Sequence, residues 1–211
     1  MGDSFVQGLN REVNEVKPSM IRNDNDLAQI AEEAGNRLQE IQSHLGTKNN
    51  PRGRVKFPRG FIRRKGPILA DLPQTKNPRH RHLNDCISHA LMTADLFRWL
   101  LIRTDLKGLA QKMVIKETIC LLGNVCESIT KDYLYGNGSS KSYKQRTEEL
   151  VELTIIGEKL KENLDWLWDQ RNDEHLWMVD ESELKKYTAR DYVRAHQACK
   201  ELIEAVKARP D

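Results

Sequence analysis

The sequence predicts an all-α fold, an up-and-down helical bundle preceded by an N-terminal helix and an irregular basic arm. From residue 83 onward, apolar residues recur at the three- and four-residue spacing of amphipathic helices. Helix caps and Gly- or Pro-containing breaks separate the successive apolar stripes. No segment shows the apolar–polar alternation of a half-buried strand. The 211-residue chain is therefore expected to comprise an N-terminal region, 1–82, and a helical bundle, 83–211.

The N-terminal region is expected to contain one long helix followed by the arm. Asp24 and Asp26 are candidate N-caps for a helix of about twenty residues, which Gly46 would end. From residue 47 to residue 78 the chain is rich in Pro and Gly, which predicts an irregular arm. The stripe of the helix consists of Leu27, Ile30, Ala31, Ala34, Leu38, Ile41 and Leu45.

The bundle is expected to contain five helices, the first two of which carry extensive apolar stripes. Thr188 and Asp191 form a near capping box at the start of the last one. The expected helices are Leu83–Arg103, about Leu109 to Tyr135, Tyr143–Leu153, Glu158 to about Glu174, and a last helix from Thr188 to before Pro210.

Composition is typical of a soluble helical protein, with 38% apolar and 31% charged residues. Charged residues interrupt the most apolar stretch, Leu83 to Ile102, so no membrane span is expected. Asp3 and Arg11 interrupt any apolar N-terminal run, so no signal peptide is expected. The scattered cysteines, without a C-x-x-C pair, favour reduced core thiols over zinc ligands or disulfides. We therefore expect a cytoplasmic protein without membrane association.

The net charge of +3 is unevenly distributed along the chain. Residues 48–82 carry eleven Lys and Arg but only one acid, so this block is +10 and the remainder is −7. Phe57 and Phe61 lie among these cations, a pattern suited to base stacking in single-stranded RNA. The alternatives are a solvated loop and a contact with an acidic protein surface. The candidate RNA-binding cations are Arg59, Arg63, Arg64 and Lys65.

The Trp-rich segment 166–177 contains the candidate catalytic residues. Arg171 and His175 are four residues apart, which places them on one face of a helix. Arginine offers a planar donor fork that suits phosphate oxygens, and histidine can take and give a proton near neutral pH. Together they would suffice to cleave a phosphodiester without a metal. The alternative is an ordinary charged helix surface.

The chain from about Leu83 to Ala208 resembles the HEPN domains, small helical bundles of bacterial toxin–antitoxin and antiviral-defence systems. Their signature, an arginine, often a following Asn, and a histidine, is matched by Arg171-Asn172-Asp173-Glu174-His175. Their Glu-x-x-x-Lys-Asp element is matched by 127–132, and their last helix resembles Tyr187-Thr188…Asp191-Tyr192. The three residues between Arg171 and His175 are one fewer than the family's usual minimum.

The resemblance implies a homodimer that cleaves RNA without a metal or another cofactor, acting as a toxin or defence effector. His175 would move protons, and Arg171 would neutralise charge developing on the phosphate. Asn172 would orient the phosphate or the ribose. Glu127 would set the His175 tautomer or pair with Arg171, and Lys131 would bind a flanking phosphate. Glu127 and Lys131 alternatively form an ordinary helix pair. An antitoxin or another defence subunit is a possible partner.

One histidine cannot easily serve as base and acid in a single step, because the two roles require opposite protonation states. A two-fold axis near the motif would bring a second Arg171 and His175 to the same phosphate. Two other functions fit the sequence: a non-catalytic HEPN-like dimerisation or regulatory subunit, and a basic nucleic-acid-binding module.

Overall fold

The structure is a computed structural model that describes residues 21–57, 60–80, 82–136, 140–172 and 187–208. Throughout this part of the chain it contains helices and no strands, which confirms the predicted all-α class. The chain divides into two compact units, residues 1–57 and 58–211. No described helix is long and apolar enough to cross a membrane.

Seven α-helices and two short 3-10 helices lie in the described ranges. The 3-10 helices are Pro51–Gly53 and Pro78–His80. The α-helices are α1 (Asp24–Leu45), α2 (Lys65–Asp71), α3 (Leu83–Arg103), α4 (Gly108–Tyr133), α5 (Tyr143–Glu152), α6 (Glu158–Asn172) and α7 (Ala189–Lys207).

Helix α1 carries the predicted stripe but begins at a different cap. Asn23, not Asp24 or Asp26, is the N-cap, and its side chain accepts a hydrogen bond from the Asp26 backbone N–H at 2.9 Å. Gly46 ends the helix with φ of 55°, as the sequence predicted. None of the residues of α1 is buried, and Leu27 and Leu38 remain 48% and 49% exposed. Among the described residues, most of the apolar stripe of α1 is therefore exposed.

Helix α2 corrects the prediction of a wholly irregular arm. Pro67 lies in the first turn, where helical N–H groups have no intrahelical partner, so its missing donor is tolerated. The helix packs against α3 and buries Ile68 to 2% exposure. The compact unit that contains the bundle begins at residue 58, whereas the sequence suggested that the bundle begins at residue 83.

Helix α4 lies at the centre of the bundle and packs against α3, α5, α6 and α7. It is the longest described helix and contributes the largest share of buried residues, because apolar side chains occupy most of its circumference. Cys120, Cys126 and Cys199 are buried thiols of the core, whereas Cys86 is exposed, which corrects the expectation of a core thiol at that position. Fully buried core residues include Ala94, Ile119, Cys126, Leu150, Leu164, Leu167, Ala195, Ala198 and Leu202.

A partly buried ion pair holds the segment before α2 against α3. Asp95, only 4% exposed, accepts hydrogen bonds from the Arg63 backbone N–H at 3.0 Å, from Nε at 2.8 Å and from Nη2 at 3.0 Å. A second ion pair joins the first turns of α2 and α3, where Lys65 Nζ lies 2.6 Å from an Asp85 carboxylate oxygen. The first pair is bidentate and partly desolvated, whereas the second is exposed, so the first should contribute more stability.

Asp95→Ala is expected to lower the free energy of unfolding by about 2–3 kcal/mol, because Arg63 loses all three bonds to a buried carboxylate. Urea denaturation followed by circular dichroism measures this loss. Asp85→Ala is the matched control on the same helix and should cost much less, since water can replace its exposed partner. Equal losses in the two variants would contradict the distinction.

Candidate functional site

The site is built where α6 crosses α4. Gly123 makes this crossing close, because a Cβ atom added to it would lie 3.0 Å from Arg171 Cβ and 3.6 Å from the Leu167 carbonyl oxygen. The aliphatic stem of Arg171 therefore lies against a position with no side chain. Leu167, one turn earlier on α6, is fully buried and holds the two helices together. The crossing places the Arg171 guanidinium beside Asn124 and Glu127, which follow Gly123 on α4.

Each nitrogen of the Arg171 guanidinium has a different acceptor. Nε donates to Asn124 Oδ1 at 2.9 Å and Nη1 donates to Asn172 Oδ1 at 3.1 Å. Nη2 lies 3.4 Å from Glu127 Oε2, and both side chains of this ion pair are about 30% exposed, at 30% and 29%. Arg171 is thus fixed in one orientation while part of it remains open to solvent.

A second arginine approaches the other oxygen of Glu127. Arg146 Nη2 lies 3.8 Å from Glu127 Oε1, and Nη1 donates to the Lys141 carbonyl oxygen at 2.5 Å. The Arg146 side chain is only 5% exposed, and its burial lowers its pKa while Glu127 opposes that shift. Glu127 consequently stabilises the charge of two arginines from α5 and α6. We call Asn124, Glu127, Arg146, Arg171 and Asn172 the Glu127 cluster.

Two stacked aromatic rings connect these arginines. Tyr143 and Trp168 stack with ring centroids 4.6 Å apart and planes 8° from parallel. The Arg171 guanidinium carbon lies 4.7 Å from the Trp168 ring centroid, and that of Arg146 lies 5.7 Å from the Tyr143 ring centroid. Cation–π attraction adds to the polar contacts in holding both guanidinium groups. Tyr143 and Arg146 were not predicted as site residues, because the pairing of α5 with α6 leaves no local spacing signal in the sequence.

The Glu-x-x-x-Lys-Asp element separates into residues with different surroundings. Glu127 pairs with Arg171, one of the two expected roles, and forms no helix pair with Lys131. Lys131 is exposed and has no ion pair with any described residue. Asp132 is buried and accepts the backbone N–H groups of Lys76 and Asn77, at 2.9 and 3.2 Å. Asp132 therefore stabilises the chain segment before α3.

The candidate residues of the arm also differ from one another. Arg63 and Lys65 are held in ion pairs with α3, so part of their charge is already neutralised within the bundle. Arg64, at the N-cap position of α2, is exposed and makes no ion pair within the described ranges. Arg59 and His175 lie outside the described residues.

Comparison with protein-family models, with curated proteins and with solved structures finds no match. The fold and the cluster define an all-α bundle in which a partly exposed arginine of α6 is held by Asn124 and Glu127 of the central helix α4.

Proposed function

We propose that the chain is a HEPN-like, metal-independent endoribonuclease, a toxin or defence effector that cleaves RNA at a dimeric Arg/His site. The observation that carries the proposal is the ion pair between Arg171 and Glu127. It joins the two motif elements on which the resemblance rests, although they belong to different helices. Asn172, the third candidate, accepts a hydrogen bond from the same guanidinium through its side-chain oxygen.

The chemistry requires a fixed cation beside a proton carrier. Arginine has five N–H donors, and the contacts of Arg171 leave a second N–H on each terminal nitrogen for a phosphate. His175 takes the proton of the ribose 2′-OH, the 2′ oxygen bonds to phosphorus, and the bond from phosphorus to the 5′ oxygen breaks. A protonated His175 of a second copy gives its proton to that leaving oxygen. The products are a 2′,3′-cyclic phosphate and a 5′-hydroxyl.

The full-length protein is expected to cleave single-stranded RNA in EDTA and to leave 2′,3′-cyclic phosphate ends, because the nucleophile belongs to the substrate. Gel electrophoresis of the fragments and their phosphatase resistance measure this outcome. An all-deoxy strand of the same sequence is the matched control and should be bound without being cut. Cleavage of that strand would rule out the 2′-OH mechanism. The assay is run where sedimentation shows a dimer, since a monomer would lack one of the two histidines.

One observation favours the non-catalytic dimerisation or regulatory subunit. All three nitrogens of Arg171 already contact protein groups, and Glu127 offsets its charge, which reduces the attraction for phosphate. This alternative predicts a stable dimer that leaves RNA intact in the same assay.

The third candidate function, a basic nucleic-acid-binding module, requires cations of the arm that are not already neutralised by ion pairs within the bundle. Binding through the arm would weaken steeply with salt, because each phosphate contact releases counterions. Arg63 and Lys65 are in ion pairs, whereas Arg64, between them in the sequence, is exposed and makes no ion pair with a described residue. Such a module would bind RNA and all-deoxy strands without cleaving either.

A further inference from the structure

An open cleft of about 760 Å³ lies between α2, α3 and α7, with part of α4 as its floor. Its volume is within the range of small-molecule sites, roughly 300–1,000 Å³. None of the residues of the Glu127 cluster lines it. We call it the α3–α7 cleft. Its apolar lining is formed by Ile68, Leu72, Leu91, Leu122, Val193 and Ile203.

The charged residues that line the α3–α7 cleft are paired, with one exception. Arg63 binds Asp95, Lys207 Nζ lies 3.5 Å from Asp71, and Lys200 Nζ lies 3.7 Å from Glu204. Arg98 has no carboxylate partner among the described residues, and its guanidinium carbon lies 5.7 Å from the Phe61 ring centroid. The cleft therefore offers one exposed, uncompensated positive charge beside an apolar surface.

Two polar groups of the cleft wall lack hydrogen-bond partners within the described part of the chain. They are Tyr192 Oη and His196 Nε2, and their rings are in contact, with centroids 4.6 Å apart. Burial, and secondarily the charge of Arg98, lowers the pKa of His196 to about 4. His196 is consequently neutral at physiological pH and leaves Arg98 as the anion-attracting group. Unpaired buried polar atoms are uncommon in folded proteins and are often satisfied by water or a ligand.

From these features we infer that the α3–α7 cleft binds a small amphipathic anion. The apolar body of the ligand contacts Leu91 and Ile203, and its single acidic group meets Arg98. Tyr192 and His196 supply polar groups at the wall of the same site. A single acidic group matches the cleft, since a neutral ligand would leave Arg98 unmatched and a polyanion would find only one cation that is not already paired with a carboxylate among the described residues. The inference does not depend on ribonuclease activity, because the cleft shares no residue with the Glu127 cluster.

Anilinonaphthalene sulfonate is a suitable probe, because it joins an apolar aromatic body to one acidic group. Titration of the full-length protein is expected to give saturable fluorescence enhancement with one site per chain. Phenylnaphthylamine, the same ring system without the sulfonate, is expected to bind at least about tenfold more weakly, because it lacks the charge-assisted contact to Arg98. Equal affinities of the two probes would overturn the proposed role of the charge.

Two matched substitutions on α3 locate the site. Arg98→Gln is expected to weaken binding of anilinonaphthalene sulfonate about tenfold and to leave phenylnaphthylamine binding within about twofold. Arg103→Gln removes an equivalent exposed charge from the end of the same helix, outside the cleft, and should change neither affinity. Gln197→Trp, which places a large side chain in the cleft, should weaken both probes. Non-saturable binding, or the same loss in Arg98→Gln and Arg103→Gln, would overturn the site. Circular dichroism of each variant verifies its fold.

Discussion

His175→Ala is expected to reduce the rate of RNA cleavage roughly a thousandfold while leaving the fold and RNA affinity nearly unchanged. General acid–base catalysis by a positioned side chain typically contributes about 10²–10⁴ in rate, and His175 would act in both proton transfers of the proposed dimer. Single-turnover cleavage with excess enzyme measures the chemical step, and anisotropy with an all-deoxy strand measures binding. A loss of rate without a loss of binding would separate proton transfer from recognition.

His89→Ala is the matched control, because it removes an exposed imidazole from α3, outside the motif. It should cleave RNA at the parental rate. Full activity of His175→Ala would show that the histidine assignment is wrong. A parallel loss in both variants would point to a change of fold, which thermal melts would reveal.

Arg171→Lys is expected to lower kcat/KM about a hundredfold or more, despite keeping the positive charge. Removal of one electrostatic stabiliser of a transition state typically costs about 10²–10³ in rate. The three nitrogens of Arg171 reach three separate acceptors, Asn124, Asn172 and Glu127, which a single ammonium group cannot do. The substitution also replaces a planar group over Trp168 with a more strongly hydrated one.

Arg194→Lys provides a closely matched control for this substitution. Arg194 Nε donates to Asn163 Oδ1 at 2.8 Å, and its guanidinium carbon lies 4.2 Å from the Trp166 ring centroid. It therefore repeats the asparagine contact and the aromatic contact of Arg171 outside the Glu127 cluster. Cleavage should be unaffected by Arg194→Lys. Equal activity of Arg171→Lys and the parent protein would mean that charge alone, without the fork geometry, suffices.

Local patterns in the sequence predicted most of the bundle. Helix α3 has the expected bounds, Leu83–Arg103, because its apolar spacing and the break at Thr104 are both local signals. The capping box of Thr188 and Asp191 was also expected and is present. The two predicted N-caps of α1, Asp24 and Asp26, lie one and three residues after the observed cap, since several neighbouring side chains there are good caps and only backbone geometry selects Asn23.

The elements that the sequence did not predict depend on contacts between distant segments. Helix α2 is short and begins in a Pro- and Gly-rich stretch, so its local propensity is poor. Burial of Ile68 and the bonds from Arg63 to Asp95 stabilise this region, and neither is visible in the local pattern. The same reason explains why the Arg146 contact with Glu127 was missed. The pairing of Glu127 with Arg171 was anticipated only as one of two alternatives.

The sharing of Glu127 between Arg146 and Arg171 also determines the charge stoichiometry of the site. Two arginines and one carboxylate give the three side chains a net positive charge of one, which balances the single negative charge of a phosphodiester linkage. In the proposed dimer, two such sets would carry twice that charge. Attack by a deprotonated 2′ oxygen gives a doubly negative phosphorane, so the two arginine–glutamate sets, counted without the two histidines, would balance its charge, whereas one set would balance only that of the substrate.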